Sequence, residues 1–567
     1  MYDAAERQVA KHGLKVTRSL VTTMSTFLGI SKSMRWMLVV FGVLVGLETC
    51  VASAAEGSPD PLRVVTDTGV LRGAEGSGVR EFKGIPFALP PIGNLRFSPP
   101  VPQTQWAGTL DATKYKSPCP QVSRFGQTDA SDNEDCLYLN ITVPATGSPA
   151  HGVRNSKPVI VWVHGGAYVG GSADIYPLDY FSRSGDVIIV SINYRLGVFG
   201  FMAHPAFDPA HNGSLGLEDQ REALQWVKRN IRPFGGDPQN VTLAGESAGA
   251  ASVCMQLIAP HEAAGLFQKA IIQSIGCTIH LRTASEAAGT GVKVANLVRC
   301  TDSATALSCL REKSVHELLE AQVKVGGTDV RAFGLGVGSI SVPRQGAEAF
   351  ATGQFVKVPM INGGNRDEMG LYVGYEIAAG GTITRDNYVE RLRASYGEYA
   401  AEIARRYPLA AYTSPAIAVG RVESDFMPGG PLNNCLYLET ARLASRFVPV
   451  YEFEFADPDA PSVMPKPGIE TGAVHSAELL YFYPHISFNS RIDGPDVPPQ
   501  SQPLSRQMVA YWSQFAHTGH PSVPGLAAWP RYHSPRDVMR FEPGHVGTFD
   551  AARAHQCRFW KKLYPDG

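Results

Sequence analysis

The 567-residue sequence has no apolar run long enough to cross a bilayer. Residues 37–47 (MLVVFGVLVGL) are about half of the roughly 20 residues a spanning helix needs, so no stable membrane insertion of the mature form is expected, an uncleaved membrane anchor being the alternative. No block of like charge occurs either. Lys plus Arg is 51 against 52 for Asp plus Glu, a net charge of −1, so the electrostatic footprint of a nucleic-acid binder is missing. No zinc motif of the HExxH kind is found. His517 and His520 stand at a predicted helix end with no carboxylate partner beside them, so no metal and no cofactor is expected. Repeats, low-complexity tracts and long linkers are also lacking, which excludes solenoid, collagen-like and disordered classes. One globular domain over residues 56–567, acting on a small molecule, is the simplest organisation.

The short apolar run instead has the features of an export signal. Arg35 precedes it and the small residues Ala52, Ser53, Ala54 and Ala55 follow in an Ala-x-Ala arrangement, so residues 34–55 are expected to be a signal peptide cleaved near Ala54 or Ala55. The protein is therefore expected outside the cytoplasm, secreted or periplasmic. Residues 1–33 are hydrophilic and unpatterned and are expected to be a non-native or unstructured extension. The chain holds nine cysteines, and an exported chain invites their pairing, though spacing alone leaves many connectivities open.

Short runs rich in Val and Ile, without polar alternation, suit strands buried on both faces. Residues 159–163, 187–190, 241–243 and 358–361 qualify, with a late strand at 448–455. Between the second and third, Leu217, Ala223, Leu224 and Val227 recur at helical spacing. A further helix is predicted over 502–518, stopped at Gly519. Strands alternating with helices predict an α/β fold with a mostly parallel central sheet and helices on both faces.

Two segments carry chemistry. Gly245-Glu246-Ser247-Ala248-Gly249 follows the apolar run at 241–244 and precedes the helix-compatible stretch 248–257. A GxSxG pentapeptide alone is weak, but between a strand and a helix it is the setting of a nucleophile elbow. A sharp turn there lifts the Ser247 hydroxyl and leaves the Ala248 N–H free at a helix N-terminus to receive an oxyanion. The second segment, Trp162-Val163-His164-Gly165-Gly166-Ala167-Tyr168, ends a strand in small residues, as an oxyanion loop does. His164 within it is expected to be structural.

These segments resemble a type-B carboxylesterase, the α/β-hydrolase family of cholinesterases and para-nitrobenzyl-type esterases. The similarity runs from about Gly69 to Lys562 and includes GIPFALPPIGNLRF at 84–97, EDCLYLNI at 134–141 and FGGDPQNVT at 234–242. It implies Ser247 as nucleophile, with Gly166, Ala167 and Ala248 as oxyanion donors; Ala167 stands where many members have glycine. In α/β-hydrolases the acid and histidine follow the serine in that order. The loop GGNRDEMG at 363–370 implies Glu368 as acid, with Asp367 as the alternative, and GAVHSAEL at 472–479 implies His475 as base. Ser274 matches a position that hydrogen-bonds the acid. The resemblance also implies the disulfides Cys119–Cys136, Cys300–Cys309 and Cys435–Cys557.

The activity implied is a serine carboxylic-ester hydrolase working through a Ser-Glu-His triad and an acyl-enzyme. The loop of residues 120–135 contains only Phe125 as an aromatic, whereas cholinesterases carry a tryptophan there to stack on choline. It is also short and polar, unlike a lipase lid, so soluble small-molecule esters are expected. The competing expectations are an interfacial lipase, or a catalytically silent adhesion or binding protein of the same fold, whose members typically lose a triad residue.

Overall fold

The apolar runs without alternation become the middle of an eleven-stranded sheet. The strands of the chain are β1 (Arg63–Val65), β2 (Val70–Arg72), β3 (Ala74–Glu75), β4 (Val79–Pro86), β5 (Thr109–Asp111), β6 (Tyr138–Pro144), β7 (Lys157–Val163), β8 (Ile188–Ile192), β9 (Gly236–Glu246), β10 (Lys269–Gln273), β11 (Met360–Asn365), β12 (Val450–Phe455), β13 (Val538–Glu542) and β14 (His545–Phe549). The large sheet has the order β14-β13-β12-β11-β10-β9-β7-β8-β6-β4-β3, and β1, β2 and β5 form a small separate sheet. The structure is a computed structural model describing residues 60–123, 130–145, 156–326, 332–463, 469, 472–486 and 495–565. The expected extension at 1–33, the leader at 34–55 and Phe125 lie outside them. Leu62–Gly567 forms one compact unit.

The six neighbouring pairs from β13 to β8 are parallel. Antiparallel strands close both edges, β6, β4 and β3 on one side and β14 on the other. The central sheet is therefore mostly parallel, as expected, and the antiparallel edges are an addition the apolar runs did not reveal. Successive side chains of a strand point to opposite faces, and here each face has its own core. Val159, Val161 and Val163 of β7 join one apolar cluster with Val241 and Leu243 of β9. Ile160 and Trp162 join the other with Ala244, Met508, Trp512 and Phe515. Burial on both faces removes the polar partner from the alternation.

Helices cover both faces. The predicted C-terminal helix is Gln502–Thr518, closed by Gly519 in a left-handed conformation at φ 76°. The one predicted from Leu217 starts two residues earlier, as Leu215–Asn230. β11 begins at Met360 rather than at Val358 because Pro359 has no N–H to give a ladder; its carbonyl instead accepts from the Ala270 N–H at 3.0 Å. Among the described residues, no helix is long and apolar enough to cross a membrane.

The three expected disulfides, Cys119–Cys136, Cys300–Cys309 and Cys435–Cys557, are present. A fourth, Cys254–Cys277, ties the helix that follows β9 to the segment after β10. Cys254 lies on a helix face among apolar neighbours, where a half-cystine and an ordinary buried thiol look alike in sequence.

Candidate active site

Parallel strands deliver their C-terminal ends to the same edge of a sheet, and ligand sites of open α/β sheets gather there. β9, β10 and β11 are adjacent, so the turns after β9 and β11 stand near each other although 121 residues of chain separate Ser247 from Glu368. Ser247 follows β9 with φ 56° and ψ −123°, and the helix Ala248–Ile258 starts at the next residue. A non-glycine residue there is strained by about 1–3 kcal/mol, which persists only where the surroundings over-determine it. The Ser247 N–H donates to Gln273 O at 2.9 Å and its carbonyl accepts from Ala251 N–H at 2.9 Å. Gly249 lies so close to β7 that a side chain there would collide with the Val163 carbonyl. The elbow therefore needs its glycine for close approach.

The hydroxyl of Ser247 stands 2.9 Å from His475 Nε2, and His475 Nδ1 stands 2.7 Å from Glu368 Oε2. Glu368 and His475 are buried, 0% and 2% exposed, while Ser247 is half-buried. The loops carrying them are tied by their backbones: the His475 N–H donates to Glu368 O at 3.3 Å and the Asp367 N–H to Ala473 O at 2.9 Å. The Asn365 amide donates to Val474 O at 2.7 Å. Glu368 Oε1 accepts from the Asn365 N–H at 2.8 Å and from the Tyr437 hydroxyl at 3.0 Å. With Oε2 turned to the imidazole, the carboxylate is held at both oxygens.

This differs from the expectation for Ser274. Its N–H donates to Gly363 O at 2.7 Å and its φ is 60°, but its hydroxyl makes no hydrogen bond among the described residues. Tyr437 and the Asn365 N–H, not Ser274, hydrogen-bond the Glu368 carboxylate at Oε1. Asp367, the alternative acid, has its carboxylate engaged elsewhere. It pairs with Arg366 and Arg421, each at 2.8 Å.

The glycine-rich segment after β7 comes up against the elbow. A Cβ added to Gly165 would stand 3.2 Å from Ser247 Cβ. Gly166 and Ala167 are half-exposed between buried neighbours, and their N–H groups donate to no acceptor among the described residues. Ala248 is the first residue of its helix, where N–H groups have no intrahelical partner. His164 is 1% exposed, its Nδ1–H donates to Gly165 O at 2.8 Å, and burial lowers its pKa to about 4.

Sequence reasoning missed two carboxylates. Glu246, 1% exposed, accepts from the Ser476 hydroxyl at 2.7 Å and lies 3.4 Å from His475 Nε2. Glu478, fully buried, accepts from the amides of Gln273 at 3.0 Å and Asn365 at 2.6 Å. Burial raises both pKa values, that of Glu478 to about 8 with help from the charges of Glu246 and Glu368. Burial also opposes a charged His475, but Glu246 and then Glu368 outweigh it and lift the imidazole to about 9. The signal was present: Glu246 lies inside the GxSxG pentapeptide, and Glu478 follows His475 by three residues.

A half-buried hydroxyl on a strained turn, a buried imidazole, a buried carboxylate and neighbouring N–H groups without an acceptor among the described residues suit attack on a carbonyl. Comparison with known proteins agrees. The sequence model of the carboxylesterase family matches residues 60–560. A para-nitrobenzyl esterase of Bacillus subtilis (strain 168) is 32% identical over 83% of this chain and 92% of its own. A fumonisin B1 esterase of Sphingopyxis macrogoltabida is 32% identical over 87% and 88%. The solved structure of a thermophilic PNB esterase superposes with a TM-score of 0.72 at 30% identity, covering 88% of this chain and 100% of that one. With an α/β-hydrolase fold and a family match along most of its length, the chain belongs to the carboxylesterase family of ester hydrolases.

Proposed function

We propose that Ser247 is the nucleophile, His475 the general base and acid, and Glu368 the residue that orients the imidazole, in hydrolysis of soluble small-molecule carboxylic esters outside the cytoplasm. The observation that carries this is the line of hydrogen bonds from Ser247 Oγ through His475 to Glu368 Oε2. As Ser247 Oγ bonds to the ester carbonyl carbon, its proton passes to His475 Nε2 and the carbonyl electron pair moves onto oxygen. The N–H groups of Gly166, Ala167 and Ala248 receive that oxyanion. Collapse of the intermediate breaks the bond to the alkoxy oxygen, which takes the proton from His475 and leaves as alcohol. Water then gives a proton to His475 as it attacks the acyl-enzyme, and Ser247 departs with that proton. Glu368 holds the tautomer with hydrogen on Nδ1 and stabilises the imidazolium in both halves.

Soluble substrates are favoured by the polar sequence of residues 120–135, which also lacks a tryptophan to stack on a choline cation. Export is supported by the four disulfides. An organophosphate tests the reading directly: one equivalent should label Ser247 and abolish hydrolysis of para-nitrophenyl esters. Labelling at another residue, or none, sinks it, and the latter would indicate a silent binding protein of this fold. A panel of acyl chain lengths, read below and above the solubility limit, separates an esterase from an interfacial lipase.

A further inference from the structure

The segment that carries Gly166 and Ala167 is held in a backbone conformation its side chains disfavour. φ is 110° at Gly166, 55° at Ala167 and 62° at Tyr168. Two successive non-glycine residues in the left-handed region cost about 1–2 kcal/mol each, and such strain persists only where surrounding contacts impose it.

Three anchors do so. At the start, Tyr194 stacks on His164 with ring centroids 4.3 Å apart and donates its hydroxyl to His164 O at 2.8 Å. In the middle, the Gly197 N–H donates to Tyr168 O at 2.6 Å. At the end, the side-chain amide of Gln121 brackets Gly171: Nε2 donates to Gly171 O at 3.0 Å and Oε1 accepts from the Gly171 N–H at 2.9 Å.

The third anchor has a different origin from the others. Gln121 belongs to the loop closed by Cys119–Cys136 and is fully buried. Its Nε2 also donates to Cys119 O at 3.1 Å, and its backbone N–H and carbonyl both pair with Ser131 at 2.9 Å. Gly171, at φ 110°, lies so close to the His164 ring that a Cβ would overlap it. Between Gly171 and the half-exposed residues runs one tight turn, in which Gly166 O accepts from the N–H groups of Val169 at 3.0 Å and Gly170 at 3.1 Å. A shift of Gly171 therefore reaches Gly166 and Ala167 with little to absorb it. A buried amide satisfied on both its donor and acceptor sides is directional in a way that an apolar side chain of the same size is not.

We propose that Gln121 is a positioning residue for the oxyanion hole, fixing the far end of the strained segment from the first disulfide loop. The inference rests on the assignment of Gly166 and Ala167 as oxyanion donors. Gln121→Met keeps length and burial but removes the hydrogen bonds to Gly171. It is expected to lower kcat for a para-nitrophenyl ester about tenfold while KM stays within about twofold, since a misplaced donor weakens the transition state more than the ground state.

A trifluoromethyl ketone, whose adduct with Ser247 places an oxyanion in the same site, should lose affinity by a similar factor. Thermal melting identifies the folded variant. Should the Met variant not accumulate, Gln121→Glu keeps an acceptor for the Gly171 N–H, loses both donors, and should show the same loss in smaller measure. Unchanged kcat and unchanged inhibitor affinity in a folded variant overturn the role of Gln121. Failure of the ketone to inhibit the unmodified protein overturns the oxyanion assignment itself, and the two failures are distinguishable.

Discussion

Glu246 Oε1 lies 3.4 Å from His475 Nε2, the ring nitrogen that also takes the Ser247 hydroxyl. The imidazole thus stands between two buried carboxylates, Glu368 on the Nδ1 side and Glu246 on the Nε2 side.

This arrangement sets a pH dependence. The carboxylates stabilise the protonated ring and raise its pKa to about 9 despite burial. Only the neutral ring can accept the Ser247 proton, so kcat/KM should rise with pH along a limb whose midpoint lies above the ordinary histidine value near 6.5. Removing one of the charges in Glu246→Gln should move that limb to lower pH. Rate profiles of the two proteins on one neutral ester test this; a limb at or below pH 6.5 before substitution, or one that moves upward after it, contradicts the electrostatic account.

The two adjacent carboxylates of the acid loop should behave differently. Glu368→Gln retains shape but loses the charge that orients and stabilises the imidazolium, and kcat should fall by roughly 10³–10⁴. Asp367→Asn weakens the pairs with Arg366 and Arg421 and should act on stability, by about 1–3 kcal/mol, with kcat changed little. Steady-state kinetics beside urea unfolding measure both, and the reverse ranking would move the triad acid to Asp367.

Disulfide removal should scale with the chain enclosed. Cys435–Cys557 spans 122 residues of sequence and Cys300–Cys309 spans nine. Loop-closure entropy assigns about 5 kcal/mol to the first and about 2.5 kcal/mol to the second. Double alanine variants compared by urea unfolding should keep that order. Equal losses would mean that strain or residual structure in the unfolded chain outweighs loop length.

Much of the fold was legible in residue order. The Val- and Ile-rich runs marked strands buried on both faces because neither face left a polar position, and Gly519 marked the end of the helix Gln502–Thr518 because a residue tolerant of positive φ suits that cap. The outer strands β3, β4, β13 and β14 were not legible. They are short or partly exposed, and their patterns are those of loops until a neighbouring strand supplies hydrogen bonds.

The sequence by itself determined the chemistry within reach of one segment: the strand, turn and helix around Ser247, and the small residues that free the N–H groups of Gly166 and Ala167. These are local, since backbone torsion and side-chain size decide them. What only the tertiary structure decided is which distant groups meet. It brought His475 to Ser247 and Glu368, set Tyr437 rather than Ser274 against Glu368, turned Asp367 toward two arginines, placed Glu246 and Glu478 around His475, paired Cys254 with Cys277 and fastened Gly171 to Gln121. Hydrogen bonds and charges act over a few ångströms in space whatever the separation along the chain, and that proximity exists only once the sheet has brought its strand ends together.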